Sequence, residues 1–315
     1  MEPTTQPVIH TERLARAFGS VPAVNSLDLT VQRGEMFGLV GPDGAGKSTS
    51  IRLLCGILKP TGGHGHILGY DLAGESEPLK ARIGYLSQEF TLYGDLTVDE
   101  NVEFFAEIHG VANFAQRRHE LLEFTQLIPF RRRLAQALSG GMKKKLALVC
   151  TLIHTPEIIF LDEPSTGVDP ISRGEFWNIL SGILEQDVTI FMTTPYLDEA
   201  ERCHRISLMH RGRMFMTGTP EQIKAAMPGR IYRFDCSAPG AVYAALRRRW
   251  PSTRLVRYGD HVQFWTRQGA VEAHDAIAEI ERQGLGPVTV SDQPPSLEDA
   301  FVALLGSDST EGEHP

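Results

Sequence analysis

The sequence predicts an α/β domain built on a mostly parallel sheet, followed by a smaller α+β unit, and three observations carry that reading. Short apolar runs alternate with helical patterns over the first 220 residues, the order that a parallel sheet with crossover helices requires. A glycine-rich segment, Gly41 to Ser48, stands between one such run and a helical pattern. After the Thr219-Pro220 turn the order becomes βαββαβ with one more helix, which fits a small ferredoxin-like unit of about eighty residues.

In chain order, Val8 to Ser26 reads as extended structure and turns, and Glu35 to Val40 as a buried strand running into the glycine-rich loop. A helix is expected from about Gly46 to Leu58, halted by Pro60 and a Thr61-Gly62-Gly63 turn. Ile83 to Ser87 is a short strand, and Thr97 to about Ile128 is mostly helical in pattern. Glu157 to Leu161, Val188 to Met192 and Arg205 to His210 are further strands. In the second unit the strands are Arg230 to Cys236, a hairpin from Thr253 to Thr266 turning at Gly259-Asp260, and Pro287 to Val290. Its helices are Pro239 to Trp250, Val271 to Gln283 and Leu297 to Leu305. The domains expected are 1–220, with a helical subdomain at about 89–155, then 221–306 and a flexible tail at 307–315.

Composition narrows the function. The 315 residues exceed one average domain. A net charge of -8 argues against a nucleic-acid binder, and the runs Arg131 to Arg133 and Lys143 to Lys145 read as solvated faces. Cys55, Cys150, Cys203 and Cys236 show no metal-ligand spacing. With no signal peptide legible, reduced thiols in a cytoplasmic protein are expected. No window approaches the ~18 consecutive apolar residues of a membrane-spanning helix. Leu146 to Ile153 is the best candidate and is too short, so a membrane pathway would have to come from other chains.

The chemistry begins at Gly41-Pro-Asp43-Gly44-Ala-Gly46-Lys47-Ser48, which matches G-x-x-x-x-G-K-[ST] between a strand and a helix. Its glycines let backbone N–H groups turn toward phosphate oxygens, and the helix N-terminus adds favourable dipole charge. Lys47 then reaches the β- and γ-phosphates of a nucleotide, and the Ser48 hydroxyl ligates Mg²⁺. Ile158-Ile-Phe-Leu-Asp162-Glu163 is an apolar strand ending in two acids. Asp162 suits the Mg²⁺ sphere as a hard oxygen ligand, and Glu163 is the candidate to polarise an attacking water. Alone, an acid pair is more simply a solvated strand end; after a phosphate loop and four apolar residues, the catalytic reading is favoured. Ser139, Gly140 and Gly141, in Leu138-Ser-Gly-Gly-Met142, open a helical pattern and make either a second anion site or a simple helix cap.

In this order and spacing the three elements resemble ABC ATPases, the ATP-binding subunits of ABC transporters, over about residues 8 to 220. The signature motif of that family commonly ends in Gln where this chain has Met142. The resemblance implies a P-loop NTPase domain with a helical subdomain. It also implies a head-to-tail dimer of nucleotide-binding domains, each ATP lying between one phosphate loop and the partner's signature loop. Phe18 then corresponds to the aromatic that stacks on adenine, the alternative being a core Phe. Gln88 corresponds to the glutamine that senses Mg²⁺ and γ-phosphate, and Thr49 to a residue bonding the α-phosphate. Ser165 to Asp169 correspond to the loop that crosses the dimer interface, and Asp43 stands where Asn is usual.

One position departs. The family usually has a His after the strand Val188 to Met192, contacting the γ-phosphate, and Pro195 stands there instead. Proline has no side-chain donor and no backbone N–H. The resemblance therefore leaves two readings: slow hydrolysis on Glu163 and Gln88, or pairing with a different nucleotide-binding subunit that completes the second site. His204, well along the following helix, is not expected to substitute.

Pro294 to Leu305 and Tyr196 to Cys203 are similar to ATP-binding subunits of ABC-2-type exporters, including drug-efflux and secretion-associated systems. That branch implies separate integral membrane permease subunits, location at the cytoplasmic face of the plasma (inner) membrane, and permease docking near Glu89 to Phe105. There Phe90, Tyr93 and Phe104 line a groove or, equally, pack in the subdomain core. Two alternatives stand beside the exporter: a non-transport ABC ATPase acting on ribosomes or DNA, and a regulatory subunit that binds ATP without useful turnover. A single ATPase domain, an acidic balance and the lack of sustained heptads weigh against the first, and Pro195 keeps the second.

Overall fold

The computed structural model describes residues 6–89, 92–266 and 273–308. It divides into two compact units, the first ending at Thr219 and the second beginning at Pro220.

The first unit opens with β1 (Ile9–Phe18) and β2 (Val21–Val31), an antiparallel hairpin whose last pair is Phe18 with Val21. Next come β3 (Met36–Val40), α1 (Lys47–Leu54), β4 (Gly62–Ile67), β5 (Tyr70–Asp71), α2 (Ser76–Lys80) and β6 (Ile83–Leu86). The helical stretch follows as α3 (Val98–Ile108), α4 (Ala115–Phe124) and α5 (Gly140–Leu152). Then the chain returns to the sheet through β7 (Ile158–Asp162), α6 (Pro170–Leu184), β8 (Thr189–Thr194), α7 (Leu197–Ala200), β9 (Arg205–His210) and β10 (Arg213–Gly218). Among the described residues these strands form one ten-stranded sheet, ordered β5-β4-β1-β2-β10-β9-β3-β8-β7-β6.

Parallel pairing dominates only in the block β9-β3-β8-β7-β6. The other side of the sheet is mainly antiparallel, a finding that narrows the mostly parallel expectation. Burial explains why the parallel block was the legible part. Every residue of β3, β7 and β8 is buried, so those strands read as unbroken apolar runs. Phe37 and Phe191 stack in that block with ring centroids 5.7 Å apart, and truncating either to Ala should cost about 3–5 kcal/mol.

Three expectations change. Gly62 and Gly63 are not a bare turn but the start of β4, paired to β1. There Gly63 has φ of 70°, and a Cβ would fall 2.0 Å from the Arg13 carbonyl oxygen, so the register irregularity in that pair depends on glycine. Helix α1 ends at Leu54 rather than Leu58, because Gly56 turns left-handed at φ 66°. The run Lys143 to Lys145 is not simply a solvated face: Lys144 Nζ donates to the Gln88 carbonyl at 3.0 Å, and Lys145, nearly buried, pairs with Glu175 at 2.7 Å. Helical periodicity turns position 145 inward against α6. Arg131 is likewise engaged, with Asp99 at 2.8 Å.

The second unit contains α8 (Pro220–Ala225), β11 (Arg230–Cys236), α9 (Pro239–Arg249), β12 (Leu255–Arg257) and β13 (His261–Thr266). It continues with α10 (Ala273–Arg282), β14 (Val288–Gln293) and α11 (Leu297–Asp308). Its sheet runs β12-β13-β11-β14 with every pair antiparallel, the ferredoxin-like order. Phe234, Phe264, Val262, Leu246 and Ile280 form its core between the sheet and α9 and α10. Val271 and Glu272, expected to open α10, lie outside the described residues. Helix α11 continues to Asp308, past the expected start of the tail, and 309–315 lie outside the described residues.

Candidate active site

The phosphate loop joins the buried end of β3 to α1. Two of its glycines are forced by close packing. A Cβ at Gly41 would lie 2.2 Å from the Met209 carbonyl oxygen, and one at Gly46 would lie 2.4 Å from that of Ala23. Gly46 also has φ of 106°, a conformation open mainly to glycine, at the N-terminus of α1. Behind the loop, Lys47 is almost fully buried. Its ammonium donates to the carbonyls of Gly41 and Pro42 at 2.9 and 3.1 Å and lies 3.1 Å from Glu163 Oε1. Asp43 is exposed, 4.0 Å from the same ammonium.

The acids come from the tip of β7, the parallel neighbour of β8. Asp162 is fully buried, and its Oδ1 accepts from the hydroxyls of Ser48 at 3.1 Å and Thr193 at 2.6 Å. Its Oδ2 is buried with no hydrogen-bond partner. A buried, orphaned carboxylate oxygen beside a serine hydroxyl is the donor chemistry that Mg²⁺ takes, so the residues present fit the ion. Glu163 adopts φ of 47°, uncommon for a non-glycine residue and costly to hold. Its N–H is fixed by the carbonyl and the hydroxyl of Thr193, both at 3.1 Å. Gln88 Nε2 donates to Glu163 Oε2 at 3.1 Å.

Lys47, Ser48, Gln88 and Glu163 share one cleft of about 620 Å³, which Asp43, Gly44, Gly46, Thr49, Thr166, Pro195 and Tyr196 also line. Val21, Pro22 and Ala23 form a further part of its wall. Phe18, across the hairpin turn from them, is 48% exposed with the Arg16 guanidinium 4.7 Å from its ring centre, which removes the core alternative for it. Pro195 occupies the cleft wall where the histidine was expected. His204 is committed elsewhere: its Nδ1 accepts from the Met36 N–H at 2.9 Å, at the opposite end of β3 from the phosphate loop.

Ser139, Gly140, Gly141 and Asp169 do not line this cleft. Ser139 caps α5, its hydroxyl accepting from the Met142 N–H at 3.3 Å. Asp169 caps α6 through the N–H groups of Ile171 and Ser172 and is held below the usual carboxylate range, chiefly by a hydrogen bond from the Ser172 side chain. The two helix starts are packed together, since a Cβ on Gly141 would fall 2.4 Å from Ser172 Oγ. Phe90 lies outside the described residues. Tyr93, 44% exposed, packs edge-on against Phe104 at 4.5 Å.

The sequence reading missed Thr193, which holds Asp162 and the Glu163 N–H from the neighbouring strand, and Thr194 beside it. Two threonines at the tip of a fully buried strand were the available signal, because a buried hydroxyl there needs a partner.

A lysine-bearing glycine loop, a buried acid pair and a bridging glutamine at the C-terminal ends of parallel strands define a nucleotide-binding P-loop protein. Residues 24–166 match the ABC transporter family. The chain is 40% identical over 294 residues to the probable multidrug ABC transporter ATP-binding protein YbhF of Escherichia coli (strain K12), covering 92% of this chain; it spans half the length of that relative. It is 33% identical to the daunorubicin/doxorubicin resistance ATP-binding protein DrrA of Streptomyces peucetius, over 96% of this chain and 94% of the relative. Among solved structures it matches CbiO1 of Clostridium perfringens, part of an ABC transporter complex. The TM-score is 0.65 at 25% identity, over 70% of this chain and 92% of that one. The chain belongs to the ABC transporter ATP-binding proteins.

Proposed function

We propose that this chain binds and hydrolyses ATP at the cleft between the phosphate loop and Glu163, and so powers an ABC-2-type exporter. The observation that carries the reading is the convergence of Lys47, Glu163 and Gln88 on one cleft, with Ser48 and Asp162 hydrogen-bonded beside them. Lys47 holds the β- and γ-phosphates, and the N–H groups around Gly44 and Gly46 cradle them. Glu163, oriented by Gln88 and by its fixed backbone, accepts the proton of the attacking water. Ser48, Asp162 and Gln88 would hold Mg²⁺, which when bound neutralises charge developing on the phosphates. Phe18 offers an exposed ring for adenine.

The relatives named for multidrug transport and for daunorubicin/doxorubicin resistance support a drug-efflux or secretion branch. No helix among the described residues is long and apolar enough to cross a membrane, in keeping with a role beside separate permease subunits at the cytoplasmic face. Those subunits would dock by the segment Glu89 to Phe105, where Tyr93 is exposed. Ser139 to Gly141 and Asp169 would face a second nucleotide-binding domain, completing the partner's site.

The test is Glu163→Gln in the purified chain, with and without its membrane partners. ATP binding should persist while turnover falls on the order of 100-fold or more, the contribution of a positioned general base. Unchanged turnover would remove Glu163 from this role. Pro195 supports a second reading, in which this site is the slower half of a heterodimer or a regulatory ATP site, because the cleft wall lacks the expected donor at that point.

A further inference from the structure

Glu199 lies outside the cleft, yet it is 1% exposed and both of its oxygens are taken. Oε1 accepts a short hydrogen bond from the hydroxyl of Ser165, in the loop that follows Glu163. Oε2 accepts from the hydroxyl of Thr194 at 2.7 Å. The Thr194 oxygen in turn accepts from the Tyr196 N–H at 3.0 Å, fixing the turn that carries Pro195 into the cleft wall. Arg173 flanks the group, its Nε 3.9 Å from Oε1 and its guanidinium 5.3 Å from the Tyr196 ring centre.

The neighbouring hydroxyl completes the pattern. Thr193 and Thr194 are consecutive on β8, so they point to opposite faces of the sheet. Thr193 binds Asp162 and the N–H of Glu163; Thr194 binds Glu199, which binds Ser165. The chain from Asp162 to Ser165 is thereby gripped from both faces of one strand end. A buried carboxylate is costly to desolvate, and an apolar side chain of similar size would fill the space more cheaply. What the carboxylate adds is two directed acceptors, aimed at two different loops.

We propose that Glu199 is a positioning residue that clamps the loop after Glu163 to the Thr194–Tyr196 turn, keeping Glu163 in its left-handed backbone at the cleft. The proposal rests on the hydrolysis reading above. With Pro195 contributing no donor, this buried carboxylate ties the turn to the loop of the base. It does not line the cleft, and acts through Ser165 and Thr194.

The experiment measures kcat and KM for ATP, affinity for a fluorescent ATP analogue, and backbone amide exchange of residues 163–169, all in the full chain. Glu199→Ala should lower kcat at least tenfold while KM and analogue affinity stay within twofold. Glu199→Gln keeps the shape and one acceptor, and its amide N–H can donate to a hydroxyl oxygen in place of the second, so it should recover to within threefold of the unaltered chain. Ser165→Ala should act in the same direction, and the Ser165→Ala, Glu199→Ala double variant should be no slower than Glu199→Ala alone. Unchanged kcat in Glu199→Ala, additive losses in the double variant, or a parallel collapse of affinity and kcat would each overturn the clamp. If Glu199→Ala does not fold, Glu199→Gln and Ser165→Ala decide, and faster exchange at 163–169 in Ser165→Ala is the required result. Absence of turnover in the unaltered chain would count against hydrolysis, not against the clamp. In that case exchange at 163–169 with the analogue bound must quicken in Glu199→Ala for the clamp to stand.

Discussion

Pro195 lines the cleft at the position where a histidine was expected, and its ring offers no side-chain donor. Pro195→His supplies an imidazole on a backbone already held by Thr194 and Tyr196. If this position limits the chemistry, ATP turnover should rise by on the order of tenfold to a hundredfold, with little change in ATP affinity. A steady-state assay on the purified chain, alone and with the proposed permease subunits, decides it. An unchanged rate in both settings would place the limit elsewhere. At this scale the sequence was most informative where chemistry dictates residue identity. Gly46 holds a φ of 106° that is open mainly to glycine, and the phosphate-loop motif places a lysine directly after it. Glu199 was illegible for the opposite reason. It sits in the acidic run Asp198-Glu199-Ala200-Glu201, which reads as a solvated helix face, and only tertiary packing turns its middle acid inward.

Between elements, helix α3 is fixed at its start by a capping box, in which Thr97 and Glu100 exchange hydrogen bonds, and at its end by a histidine stack. His109, at the end of α3, lies 3.9 Å from His154, just beyond α5, with the rings nearly parallel. His154 Nε2 also donates to the Ile83 carbonyl at 2.9 Å, joining the helical subdomain to β6. Burial holds both imidazoles below their ordinary value, and for His154 the neighbouring ring adds to the effect. Near pH 7.5 both are neutral whether the chain is folded or not. As pH falls through about 6.5 the unfolded chain takes up protons that the folded pair resists, so stability drops. Melting temperature should therefore fall between about pH 7 and 5.5, above the range where lowered carboxylates such as Asp28 and Glu157 lose their contribution. His154→Gln keeps a donor for Ile83 without titrating, and should flatten that slope. A slope unchanged in the variant would show that the pair does not govern it. Elements were legible where burial is two-sided, as in β3, β7 and β8. They were hidden in β4, whose Gly-Gly-His-Gly-His has no apolar period to read, and in β10, which is only partly buried.

On the scale of the whole chain, the residues proposed for catalysis all precede Thr219, and each unit has a hydrophobic core of its own. The first unit is large enough to bury a core without help, and a solved cassette aligned over 92% of its length needs only 70% of this chain to match it. The change of order at Thr219-Pro220 made this division legible from sequence, because a ferredoxin-like unit has a fixed element order that the preceding α/β pattern cannot continue. Residues 1–219 expressed alone should therefore fold and bind ATP with an affinity within about threefold of the full chain, since a domain with its own core folds independently. In the full chain, calorimetry should resolve two transitions, with saturating ATP raising the one that belongs to the first unit. A single cooperative transition, together with insoluble or non-binding 1–219, would mean that the second unit is required for the stability of the first. ATP binding by 1–219 combined with loss of assembly with the proposed permease subunits would instead assign the second unit to assembly and leave the nucleotide site self-sufficient.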